Sequence, residues 1–177
     1  MKTIMKVSFC SYILPLIYPA FLFLSFLLVG SKLFLLFIAD LMYPELFISA
    51  AFLLLQIIPS LILNFNYYQI DKNKALTIDD STNEVTITNK DTESRFRLDE
   101  IDRIRIINSS SYGNSYKSVM PWKQHYYYMI CLKNDNEYLI TRFVARKLEK
   151  IINVRIVYKK AIFPFITKEV LRKSKNG

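Results

Sequence analysis

VSFCSYILPLIYPAFLFLSFLLVGS, from Val7 to Ser31, and LFISAAFLLLQIIPSLILNFNYYQI, from Leu46 to Ile70, are the two stretches whose reading decides the fold. Each is 25 residues long and carries no charge. A helix rises about 1.5 Å per residue and needs roughly 20 apolar residues to cross a bilayer core of about 30 Å, so both runs are long enough. The link between them holds Lys32, Asp40 and Glu45 as its only charges, with Pro44 as a breaker. This pattern predicts a two-helix transmembrane hairpin over residues 1–68, with spans at about 7–31 and 46–65. Pro15, Pro19 and Pro59 are tolerated inside a membrane helix. The cluster Asn64 to Tyr68 suits the headgroup zone.

Lys2 and Lys6 before the first run, with a basic domain after the second, place both termini on the cytoplasmic side of the cell (inner) membrane in a multi-pass arrangement. The first run also exceeds the roughly 7–15 apolar residues of a cleaved signal peptide. Cys10 and Cys131 are too far apart in character, one in an apolar run and one in a strand-like run, to form a disulfide framework. Free thiols fit a reducing compartment.

The net charge of +9 is gathered at one end: residues 142–177 hold 11 Lys and Arg against 2 Asp and Glu. On a membrane-tethered domain such a segment meets anionic lipid headgroups rather than nucleic acid, at about 1 kcal/mol per well-placed cation. Arg146, Lys147, Lys150, Lys159, Lys160, Arg172 and Lys173 form the candidate membrane-surface basic face.

After residue 69 the period shortens to two. Leu76 and Ile78, Val85 and Ile87, Phe96 and Leu98, Ile104 and Ile106, then Tyr126 to Lys133 and Tyr138 to Thr141 read as antiparallel strands with polar turns. Val144, Leu148, Ile151 and Ile152 share one helical face, which predicts a capping helix over 142–152. The expected fold is thus an α+β membrane protein: the hairpin, a small antiparallel β-barrel with its capping helix at 69–153, and a basic tail at 154–177. Within the tail, Val154, Ile156 and Tyr158 suggest one more strand, and Phe165 to Lys173 a short basic helix.

Strands followed by one amphipathic helix, with RFRLDEIDRI at 95–104 and ICLKNDNEYLI at 130–140, resemble the bacterial membrane-anchored proteins with a PH-like domain, the YcxB-like group. The resemblance implies a non-enzymatic scaffold that binds a protein partner or anionic lipid headgroups at the cytoplasmic face. PH domains that bind phosphoinositides use a K-Xn-(K/R)-X-R pattern, in which bases converge on phosphate through charge-assisted hydrogen bonds. Lys90, Arg95 and Arg97 match that spacing. The alternatives are an immunity or accessory protein that regulates a toxin or membrane complex and, more remotely, a pore-forming oligomer.

The stretch from Asn108 to His125 is too long for an ordinary connection. Its Tyr112, Tyr116, Met120 and Trp122 make a candidate partner-binding loop. No enzyme, cofactor or metal site is expected. His125 stands without a Cys or Asp at a recognised spacing, C-x-x-C and H-E-x-x-H are absent, and three glycines cannot build a phosphate-cradling loop.

Overall fold

The computed structural model describes residues 2–6, 21, 25, 44–90, 92–109, 122 and 125–175, with 44–56 and 175 as backbone only. Lys2–Lys6 (β1), Lys74–Asp79 (β2), Glu84–Asn89 (β3) and Thr92–Arg97 (β4) form an antiparallel sheet in that order. Alternation builds it. Leu76, Ile78, Val85, Ile87 and Phe96 fall on one face and are buried, while Thr77, Thr86 and Arg95 take the other. The β2–β3 turn is closed by Asp79, whose carboxylate accepts the Ser81 N–H at 3.0 Å. Asn83 there adopts the left-handed conformation, φ 56°, that asparagine tolerates better than most residues.

Ile101–Asn108 (β5), Tyr126–Leu132 (β6), Glu137–Thr141 (β7) and Arg155–Lys160 (β8) form a second sheet, ordered β7-β6-β5-β8. β6 is antiparallel to both neighbours, whereas β8 runs parallel to β5. This sheet is covered on both sides, which is why β6 reads as a nearly unbroken apolar run. Ile104, Ile106, Tyr128, Ile130 and Ile140 face the first sheet across the main core. Tyr127, Met129, Leu139 and Phe143 face the other way, onto Leu63 and Tyr67 of the long helix Pro44–Asp71 (α1) and onto Ile166. The helix Lys168–Lys175 (α2) follows.

Residues 142–152, expected as a capping helix, are turns ending in a short 3-10 helix, Leu148–Lys150. Lys147 breaks the helical path with φ 57°. The apolar residues still plug the end of the sandwich, because Leu148 and Ile152 are buried in the main core. Tyr128 fixes them: its hydroxyl accepts the Leu148 N–H at 3.2 Å and donates to Glu149 at 2.7 Å.

The transmembrane hairpin is overturned. Among the described residues no helix is long and apolar enough to cross a membrane. β1 gives one physical reason, since Lys2 and Lys6 lie opposite Asp79 and Ala75 and so belong to a sheet rather than to the flank of a span. α1 gives the other. Its Ser60, Leu63, Asn64, Tyr67 and Asp71 are all buried, and the polar groups among Asn64, Tyr67 and Asp71 bond to protein atoms instead of facing lipid. With the hairpin go the two-span integral membrane partner, the multi-pass inner-membrane placement and the cytoplasmic assignment of both termini. The first expected span, 7–31, lies outside the described residues except for Phe21 and Ser25.

Candidate functional site

α1 ends at Asp71 and the chain turns directly into β2, so the helix terminus is pinned beside the strand ends. Asp71 is fully buried. Its Oδ2 accepts the Thr141 N–H at 3.0 Å and also the Thr141 hydroxyl, while Lys74 Nζ lies 3.6 Å from Oδ1. Burial raises the Asp71 carboxyl above its ordinary value, against the opposing pull of Lys74 and Thr141. Lys74 Nζ also donates to the Leu139 carbonyl at 3.0 Å. The helix end, β2 and β7 are thereby tied at one polar junction.

This junction forms one wall of a cavity of about 660 Å³. The β3–β4 turn forms another. Lys90 sits in that turn with φ 52°, and its N–H donates to the Asn73 carbonyl at 3.2 Å. Asn73, Asn89, Thr92 and Ser94 add polar groups to the lining, and Ile70, Ile87, Tyr138, Leu139 and Leu171 add an apolar side. Two lysines, several neutral polar residues and an apolar wall suit a ligand with an anionic head and a carbon body.

Of the three candidate phosphate contacts, only Lys90 lines the cavity. Strand alternation points Thr92 and Ser94 inward and puts Arg95 and Arg97 on the solvent face of β4. There Arg95 pairs with Glu93 at 3.0 Å and Arg97 with Asp99 at 3.2 Å. Lys74, the second cation of the site, went unnoticed because it follows the apolar run so closely. The signal that would have found it is Asp71-x-x-Lys74, an opposite-charge pair three residues apart that closes the uncharged run Leu46–Ile70.

The seven residues of the basic face are all exposed, but they lie on three elements: Arg146, Lys147 and Lys150 in the turns before β8, Lys159 and Lys160 on β8, Arg172 and Lys173 on α2. In the candidate partner loop, Tyr112, Tyr116 and Met120 lie outside the described residues. Trp122 packs beside the cluster around Tyr67. His125 is buried, with Nε2 2.9 Å from Asn64 Oδ1 and its ring edge-on to Tyr67. Cys131 is a buried free thiol. Among the described residues no group of His, Cys, Asp or Glu is arranged to hold a metal ion.

A family model described as a PH domain matches residues 3–149. The match begins within β1 and includes both uncharged runs, which an anchor preceding the domain would have left outside it. It does not single out the YcxB-like group, and β8 and α2 lie beyond its end. No curated protein and no solved structure matches the chain. Since the match covers well over half of the 177 residues, the chain belongs to the PH domain family.

Proposed function

We propose that this PH domain is a non-catalytic binding module whose cavity takes a phosphate-bearing ligand between Lys74 and Lys90. The supporting observation is the convergence of these two cations on one cavity that also has an apolar wall. Each charge-assisted hydrogen bond to phosphate contributes about 1.5–3 kcal/mol. Lys74 is already oriented by Leu139 and Asp71, so little rotamer entropy is lost when a phosphate arrives. The same chemistry serves a lipid headgroup or a free phosphate ester.

Titration of the full chain with glycerol 3-phosphate, followed by calorimetry, tests the site. Lys90→Ala is expected to weaken binding about tenfold or more, whereas Arg95→Ala with Arg97→Ala leaves it nearly unchanged. Equal affinity for wild type and Lys90→Ala would sink the proposal. Co-sedimentation with vesicles carrying a phosphomonoester lipid then separates the sources. Capture that depends on Lys90 points to a headgroup, and soluble binding without capture points to a free ester.

A further inference from the structure

β8 is the last strand of the second sheet: β5 occupies one side of it, and no strand pairs with the other among the described residues. An unpaired strand edge offers a row of N–H and C=O groups to any extended segment that can approach. Charge decides what approaches. β8 reads Arg-Ile-Val-Tyr-Lys-Lys, with no acidic side chain, and Arg155, Lys159 and Lys160 are exposed. None of these three forms an ion pair among the described residues. Arg155 lies opposite Arg103 of β5, which is already paired with Asp102 at 3.0 Å and so does not neutralise Arg155. The exposed edge strand of the first sheet, β4, differs in carrying both signs, with Glu93 beside Arg95.

We infer that the free edge of β8 docks an acidic peptide segment, which adds in extended form as a fifth strand of this sheet. The basic side chains repel a second copy of the same edge, so self-pairing is disfavoured while a strand of opposite charge is admitted. Half-buried Ile156 and Val157 supply apolar contact on the two faces of the added strand. Main-chain pairing over six residues provides the affinity, and the three cations provide the selection. This inference stands apart from the phosphate cavity and lies beyond the stretch matched by the family.

The test uses the full chain and a fluorescently labelled peptide of alternating Glu and Val. Saturable binding is expected, lost when alternate peptide nitrogens are methylated and weakened at least about tenfold in Lys159→Glu with Lys160→Glu. Both positions are exposed, so circular dichroism should show the fold retained. If the double variant nevertheless misfolds, the methylated peptide still decides the matter on the wild-type chain. Equal binding of the methylated peptide, or of a Lys/Val counterpart, overturns strand addition. So does the absence of saturable peptide binding, including the case in which anionic vesicles are captured through these lysines instead.

Discussion

The two sheets of this domain treat their outer faces in opposite ways. The first leaves Thr77, Thr86, Arg95 and Arg97 facing solvent and buries only its inner face. The second buries Tyr127, Met129 and Leu139 under α1 and the segment around Ile166, as well as Tyr128 and Ile130 under the first sheet. One sheet is a wall; the other is a middle layer. A middle layer makes α1 a structural part of the domain, because removing the helix would expose a whole apolar face.

The contrast can be broken most strongly at Tyr67. Its ring stands edge-on to His125, Tyr127 and Phe143, and its hydroxyl donates to the Pro164 carbonyl at 2.7 Å, so burial holds that hydroxyl well above its ordinary pKa. Tyr67→Ala is expected to cost about 3–5 kcal/mol in urea unfolding, as truncation of a buried aromatic does. Asp71→Ala comes next, at about 3 kcal/mol by the same measurement, because it leaves Thr141 without its buried acceptor and Lys74 without its counter-charge.

The same carboxyl sharpens the comparison through pH. Its folded value is raised above the ordinary 3.8, so the folded state holds the proton more tightly than the unfolded chain does. The stability linked to the protonated form is present below 3.8 and is lost as pH rises through the raised folded value. Asp71→Asn keeps an acceptor for Thr141 and should flatten that part of the stability profile; an unchanged slope would exclude Asp71 as its source. The smallest effect belongs to the open wall. Arg95→Ala should change the unfolding free energy by less than about 0.5 kcal/mol, since its partner Glu93 is itself well exposed.

The difference between the sheets also explains what was legible in the sequence. β2, β3 and β4 alternate because one face meets water, and Leu76, Val85 and Phe96 announce their inward direction. β6 and β7 were recognisable as a hairpin from the turn at Asn134 to Asn136, although burial on both faces erased alternation from Tyr126–Leu132. α1 misled because a helix laid on an apolar sheet and a helix laid in lipid share a composition. Only the positions of Ser60, Asn64 and Asp71 on its covered side tell them apart, and His125 and Thr141, the partners of Asn64 and Asp71, lie far along the chain. β1 was hidden because Lys-Thr-Ile-Met-Lys is too short to declare a period. Charge spacing grouped Lys90 with Arg95 and Arg97, whereas the alternation of β4 turns the two arginines to solvent and leaves Lys90 alone of the three on the cavity wall.

Among the described residues β1 pairs only with β2, and that pairing joins Lys6 to Ala75 across most of the first half of the chain, whereas the β2–β3 hairpin closes between Asp79 and Glu84. Bringing the distant ends together costs about 2 kcal/mol more chain entropy than closing the hairpin. During folding, then, the three strands β2, β3 and β4 can assemble from local contacts, while β1 must wait for a platform to dock on. β1, which precedes the other strands along the chain, is among the last to find its place.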